Sequence, residues 1–477
     1  AAFLSSQPAL QNLPVAAAEA EKPNIVFIFA DDWGWGDLSC HGHPWIKTPN
    51  IDRIAREGID FTQAYVLSPV CSPSRAAALT GKFPSRFNIL GALSGAAKNH
   101  QRRMADWLDP TAPNVFHLLK KAGYRTGHFG KWHLTIPASD APRAQDYGID
   151  EFCGFKAAGP DKGWKSAGLF GGADAAVEFI RKNKDRPFYV NLWLHEVHVS
   201  HIPTTESMEQ WKHLDKRKQV YSAVISDGDK AVGKILDVLD QEGLTDRTIV
   251  IFSSDNGPAA PAEKPDERKH RDHGKVAYNR YYSIGSTAGM RGHKATLFEG
   301  GVRLPLLVRW PGHAPAGMKN DTTVITTIDF LPTFCAIAGV ELPPNFACDG
   351  ENMLAAFKGE KVIRKKPLFW EYRSRLAVRD GEWKLIASLD GKQLELYRLS
   401  VDREERNNLV SKYPEITARL KKMVLEWKAT LPEQPDPRCV TKSVQQPAAD
   451  KTGKQKPGRK RQRKDKPQKQ AQTVPEP

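Results

Sequence analysis

Five short β-rich runs, each followed at once by polar residues, constrain the fold of this 477-residue chain more than any other feature. They are NIVFIFA at 24–30, YRTGHFG at 124–130, FYVNLWL at 188–194, TIVIFSS at 248–254 and LPLLVRW at 304–310. Runs of this length without clean alternation suit strands covered on both faces, as in a parallel sheet flanked by helices. The covering helices are legible between them: VFHLLKKA at 115–122 stops at Gly123, and KAVGKILDVL at 230–239 is apolar at helical spacing. The expectation is an α/β fold with a large central, mostly parallel sheet. Beyond residue 365 the rhythm shortens to candidate strands at 368–372, 376–378, 383–387 and 394–399, with a hairpin signal at Asp380-Gly381 and a closing helix at 414–429. That pattern predicts a smaller antiparallel α+β subdomain.

The chain therefore divides into an N-terminal arm or export-signal remnant at 1–22, a catalytic domain at 23–364, a C-terminal subdomain at 365–435 and a basic tail at 436–477. Val15-Ala16-Ala17-Ala18 has the small-residue character of a signal-peptidase site, which points to a periplasmic or secreted protein. No apolar run reaches the roughly 18–20 residues of a membrane span. Of the formal net charge of +15, residues 451–477 carry +8, from ten Lys/Arg against Asp465 and Glu476. A segment such as GRKRQRKDKPQKQ cannot bury enough apolar surface to fold; it is either a solvated extension or a contact for a polyanion. The six cysteines, at 40, 71, 153, 335, 348 and 439, are too sparse for a disulfide scaffold and form no CxxC pair. Cys335 and Cys348 are candidates for a bridge in an oxidising compartment.

In open α/β sheets ligands sit beyond the carboxyl ends of the strands. Asp31 and Asp32 follow the first run, Lys131 and His133 the second, His195 and His198 the third, and Asp255 and Asn256 the fourth. Any one of these alone reads as a helix cap or a satisfied core histidine; four successive runs ending so do not. The carboxylates and Asn256 are hard oxygen donors that suit Ca²⁺ or Mg²⁺ rather than zinc. Lys131, His133, His198 and Lys294 would surround an anion. His195 reads as structural.

The segment SPVCSPSRAAALTG, residues 68–81, predicts a helix from Ser74 stopped by Gly81, with Cys71 just ahead of its N-terminus, where unpaired N–H groups favour an anion. CSPSR followed by AAALTG resembles the Cys-x-Pro-x-Arg signature of formylglycine-dependent type I sulfatases, arylsulfatase-like members of the alkaline phosphatase superfamily. Four companions stand in that family's order: NIVFIFADDWGWGDLSCHG, GHFGKWHL, FSSDNGP and GMRGHKATLFEGGVRLPLLVRWPG. Ordered blocks ending at strand termini are a far more specific signal than five residues alone.

The resemblance implies an alkaline-phosphatase-like fold and a calcium ion held by Asp31, Asp32, Asp255 and Asn256, with modified Cys71 as a further ligand. Cys71 would be oxidised to formylglycine by a formylglycine-generating enzyme. Its hydrate would attack sulfur, forming a sulfated enzyme that then expels sulfate. Arg75 and Lys131 would steady the formylglycine and the sulfate, His133 would act as base, and His198 and Lys294 would contact the sulfate and the leaving oxygen. Where the family has Pro-His this chain has Val197-His198, with His195 and His201 nearby. The same architecture suits a phosphoric or phosphonic ester hydrolase, the competing enzymatic reading; a non-catalytic polyanion binder would leave the Cys71 block unexplained. Aromatic and basic residues in the loops at 88–109, 156–172 and 259–283 (Arg102, Arg103, Trp164, His270, Arg271, His273, Tyr281 and Tyr282) suit a sulfated carbohydrate.

Overall fold

The structure, a computed structural model, describes residues 22–156, 171–269 and 275–442. The N-terminal arm up to residue 21, the loop residues Trp164, His270, Arg271 and His273, and the tail beyond Lys442 lie outside the described residues.

An eight-stranded sheet forms the centre of the molecule. Its strands in chain order are β1 (Asn24–Ala30), β2 (Ile59–Phe61), β3 (Arg125–Lys131), β4 (Glu151–Phe155), β5 (Phe188–Trp193), β6 (Thr248–Ser254), β7 (Leu306–Arg309) and β8 (Met318–Asn320). They lie in the order β8-β2-β7-β6-β1-β5-β3-β4. The pairings are parallel except those of β7, which runs against both β6 and β2. Every residue of β1, β5 and β6 is buried. Each Ile, Val or Phe among them adds about 1.5–3 kcal/mol of transfer free energy. Helices Cys71–Thr80 (α1), Val115–Lys121 (α2), Gly171–Lys182 (α3), Lys216–Gln241 (α4) and Phe330–Ala338 (α5) pack around this sheet.

Three expectations need correction. The run at 304–310 is not one parallel strand: Pro305 divides it, Arg303–Leu304 joins a three-stranded sheet elsewhere, and Leu306–Arg309 is antiparallel. Helix 230–239 is the second half of the 26-residue α4, whose N-cap Asp215 accepts from the Lys218 N–H. Cys335 and Cys348 are both free thiols; the Cys348 Sγ donates to the Gly81 carbonyl at 3.3 Å.

The second sheet is a four-stranded antiparallel meander of β9 (Leu368–Tyr372), β10 (Arg375–Asp380), β11 (Trp383–Ser388) and β12 (Leu394–Arg398), covered by α6 (Pro414–Ala429). Asp380 pairs with Trp383, so the tight turn is Gly381-Glu382, with Gly381 at φ 57°. This sheet shares a continuous apolar core with one face of the large sheet. Trp370 Nε1 donates to the Val66 carbonyl at 2.7 Å, and buried Lys384 sits 2.9 Å from both Glu299 and Glu405. The chain after 435 does not become tail at once: Thr441 is buried and its N–H donates to Asp106 at 2.9 Å, while Asp106 N–H donates to the Cys439 carbonyl. No helix among the described residues is long and apolar enough to cross a membrane.

Candidate active site

Strands β6, β1, β5 and β3 are neighbours at the centre of the sheet and run in the same direction, so their carboxyl ends open onto one place. Asp31 and Asp32 leave β1, Asp255 and Asn256 leave β6, His195 leaves β5, and Lys131 ends β3 with His133 two residues on. One carboxylate oxygen from each of Asp31, Asp32 and Asp255 lies within 4.8 Å of the others, all three residues being buried. Asp31 Oδ1, Asp32 Oδ2 and Asn256 Oδ1 are buried and have no hydrogen-bond partner among the described residues. Three buried, unpartnered oxygens on these clustered strand-end residues are costly unless a cation meets them. An all-oxygen donor set without Cys or His fits a hard divalent ion.

The opposite wall is α1. The helix begins at Cys71 rather than Ser74, because Pro73 falls in the first turn, where a missing N–H is harmless. Val70, its N-cap, offers no side-chain acceptor, and Ser74 Oγ instead donates to the Ser68 carbonyl at 2.7 Å. Cys71 therefore stands in the first turn, beside uncapped N–H groups, and its Sγ lies 3.2 Å from His133 Nδ1. His133 Nε2 meets the Leu93 carbonyl at 3.0 Å and so carries the ring proton, which leaves Nδ1 as an acceptor facing Cys71. Burial, with Lys131 adding to it, holds the His133 pKa well below the ordinary imidazole range.

The cations are committed to the carboxylates. Arg75, fully buried in α1, donates from Nε and Nη2 to Asp255 Oδ2 at 3.0 and 2.7 Å, and from Nη1 to the Lys131 carbonyl at 2.9 Å. Its guanidinium lies 4.8 Å from the Trp193 ring centroid. Arg75 thus clamps a carboxylate, and its charge is also felt by residue 71. Lys131 Nζ donates to Asp31 Oδ2 at 2.5 Å, and Lys294 Nζ donates to Asp32 Oδ1. Burial pushes the Asp31 carboxyl up, but Lys131 and the neighbouring histidines and Arg75 outweigh it and hold Asp31 well below the usual range. For Asp255, burial and the Asp31 charge win over Arg75, and its pKa is raised.

His198 Nε2 is 4.0 Å from Asp32 Oδ2, its Nδ1 donates to the Val199 carbonyl at 2.5 Å, and its ring stacks on His195 at 4.6 Å. All the expected site residues converge, although Arg75 and Lys131 meet carboxylates. The residue missed was His195. Burial keeps it neutral, lowering its pKa to about 4 against the pull of Asp31, and its Nδ1 donates to Asp31 Oδ2 at 2.7 Å. Its place at a strand end was the available signal. His201, the other neighbour, is fully buried and meets Ser283 Oγ at 2.9 Å, away from the cluster. Tyr282, expected in a substrate wall, is 3% exposed and packs with Tyr278 and Val220.

Comparison with known proteins assigns this arrangement. The family model described as Sulfatase matches residues 23–340, and one described as N-sulphoglucosamine sulphohydrolase, C-terminal, matches residues 292–430. An N-acetylgalactosamine-6-O-sulfatase of Bacteroides thetaiotaomicron is 29% identical across 85% of this chain and 93% of its own length. Human arylsulfatase A is 31% identical across 78% of this chain and 76% of its own. The crystal structure of Ps i-CgsB superposes with a TM-score of 0.72 at 26% identity, covering 85% of this chain and 93% of that one. The phosphoric or phosphonic ester reading gives way: the chain belongs to the sulfatase family and is a sulfuric ester hydrolase.

Proposed function

We propose that the substrate is a sulfated carbohydrate and that hydrolysis requires calcium and a formylglycine made from Cys71. The observation that carries the reading is the convergence of three carboxylates, with orphaned oxygens on Asp31, Asp32 and Asn256, upon the Cys71–His133 pair at the start of α1. Asp31, Asp32, Asp255 and Asn256 would hold Ca²⁺, with residue 71 as a further ligand. The ion's contribution is to neutralise the sulfate and lower the energy of charge on its oxygens. What formylglycine supplies at position 71 is an oxygen nucleophile, in the form of a hydrated aldehyde.

The chain's own groups then have definite tasks. His133 Nδ1 holds and releases the proton of residue 71, because Leu93 fixes its tautomer. Lys131, between Asp31 and the anion, orients the sulfate. Lys294 and His198 lie on the partly exposed side, at 20% and 19% side-chain exposure, where the leaving alcohol must enter and take up a proton. Arg75 steadies Asp255 and the end of β3 and so acts through them.

Carbohydrate is favoured by a cleft of about 190 Å³ between the segment after Lys294 and the β9–β10 turn, where exposed Arg373 lies 5.2 Å from the Tyr372 ring. The N-acetylgalactosamine-6-O-sulfatase relative supports the same class. An exported location, periplasmic or secreted, fits such a substrate and the small-residue stretch at 15–18. The catalytic domain at 23–364 would be completed by the 365–435 subdomain, whose turn forms one wall of this cleft.

The test is sulfate release from an aryl sulfate and from 6-O-sulfated hexosamines by protein co-produced with a formylglycine-generating enzyme, in Ca²⁺, beside Cys71→Ala and a matched phosphate ester. Release from the sugar that vanishes in Cys71→Ala is expected. Turnover of the aryl sulfate with none of any sulfated sugar would overturn the substrate class.

A further inference from the structure

A second cleft, of about 560 Å³, opens between the large sheet and the C-terminal sheet and shares no lining residue with the catalytic cluster. At its wall stands Arg379 of β10, 4% exposed. Its Nε donates to the Gly381 carbonyl at 3.1 Å and its Nη2 to Gln63 Oε1 at 2.6 Å, and the guanidinium lies 4.7 Å from the Tyr65 ring. Nη1 is buried and has no partner among the described residues, nor is any carboxylate there within 4 Å of this arginine. Glu299 attracts this guanidinium from a distance, but no hydrogen bond or ion pair joins the two, and a buried, unbonded Nη1 is costly and calls for an acceptor such as an anion's oxygen.

The rest of the lining has the same bias. Lys366 spends its ammonium on the carbonyls of Cys348 and Gly350, and Arg403 spends Nη2 on that of Ala288, so neither charge is cancelled. Two of the three acids in the wall are neutralised from outside it, Asp380 by Arg419 at 2.5 Å and Glu382 by Arg398 at 2.9 Å, leaving Asp321. The rim carries Ile363 and Val401, 74% and 77% exposed, the two most exposed large apolar side chains among the described residues. Uncompensated cations in the wall and an aliphatic rim match a ring with an apolar face that bears a sulfate or carboxylate.

We propose that this cleft is a secondary site for an anionic saccharide unit, seating a sulfate or carboxylate on Arg379 and the sugar face on Ile363 and Val401. It deepens the carbohydrate reading and rests on it, since a polymer held here would raise the local concentration of its sulfate esters at the catalytic centre.

The experiment is isothermal titration of the full chain carrying Cys71→Ala with a sulfated disaccharide, in about 0.15 M salt, where the Debye length is roughly 8 Å and long-range attraction is screened. Arg379→Gln and Val401→Asp are added to that background; Val401 is exposed, so its variant keeps the fold if Arg379→Gln does not. Two binding events are expected in the parent and one in each variant. In matured enzyme, Val401→Asp should raise the KM for a sulfated polysaccharide about tenfold, because it replaces an apolar contact with a carboxylate that repels the anionic unit, with the aryl sulfate kcat/KM unchanged. A parallel titration with inorganic sulfate separates the sources: loss of sulfate binding in Arg379→Gln marks an anion seat, and loss for the disaccharide alone marks a sugar seat, both as proposed. Identical isotherms in the parent and Val401→Asp overturn the site. Failure of the carbohydrate reading would appear separately, as absence of sulfate release from any sugar.

Discussion

His195 offers the sharpest test of the proposed metal site, because it touches only one of the expected ligands, Asp31. Its Nδ1–H donates to Asp31 Oδ2 at 2.7 Å, the same oxygen that receives Lys131, which leaves Asp31 Oδ1 free to face the ion. A hydrogen bond to a charged group contributes about 1.5–3 kcal/mol, and at 1.4 kcal/mol per decade its loss weakens Ca²⁺ binding by about 10- to 150-fold. Since Lys131 still restrains Asp31, the lower half of that range is expected for His195→Leu. His195→Asn, whose amide nitrogen falls near the position of Nδ1, should recover most of it. The assay is activity against free Ca²⁺ set by a chelator buffer: the half-saturating concentration should rise for leucine and return for asparagine, with kcat at saturating Ca²⁺ close to the parent. Half-saturation unchanged in His195→Leu, or no recovery in His195→Asn, would refute the positioning role.

Other outcomes follow from the same geometry. His133→Ala, which removes the acceptor on residue 71, should lower kcat by about 10²–10⁴ with a smaller effect on KM, read from steady-state rates of fully matured protein. Stripping Ca²⁺ should lower the unfolding midpoint, since binding at 100 times Kd contributes about 2.7 kcal/mol, and Asp255→Asn should abolish that Ca²⁺-dependent shift; a midpoint indifferent to chelator would count against the site. Lys384→Met leaves Glu299 and Glu405 buried together without their cation and should cost about 3–5 kcal/mol in urea unfolding at pH 7. In the parent, burial and Glu299 raise Glu405 to about 7 despite Lys384, whereas Lys384 and the nearby arginines outweigh burial to hold Glu299 at about 2. The Glu405 contribution is therefore complete below the ordinary glutamate pKa and lost as pH rises through 7; that of Glu299 is complete above it and lost as pH falls toward 2. The Lys384→Met penalty should accordingly shrink from pH 7 to pH 5, and a larger penalty at pH 5 would contradict the raised Glu405 pKa.

What could be read from sequence was what neighbouring residues encode. Strands 24–30 and 248–254 match residue for residue, because burial on both faces demands an unbroken apolar run. The polar residues that follow them were legible for the same reason, since a parallel strand puts its next residues at the ligand-binding edge. The orientation of a strand is not written in its own apolarity, so the antiparallel course of Leu306–Arg309 was out of reach. Hydrogen-bond partners are more remote still: His195 and Asp31 are 164 residues apart, and nothing local distinguishes a histidine that clasps a buried carboxylate from one that fills space.

The charges explain why so many cations were needed where an anion is to bind. Asp31, Asp32 and Asp255 carry three negative charges, and Arg75, Lys131 and Lys294 carry three positive ones, each within bonding distance of a carboxylate. Taken alone the set is neutral and offers a sulfate ester no net attraction. Its basic residues make the carboxylates tolerable in the interior, since three clustered acids would otherwise hold protons, as the raised pKa of Asp255 indicates even beside Arg75. A divalent ion on the orphaned oxygens brings the total to +2, and that excess faces the start of α1, where the N–H groups add a partial positive charge. On the proposed reading, the arginine and lysines make a metal site possible, and the affinity for an anionic ester would arise from the ion they allow the carboxylates to hold.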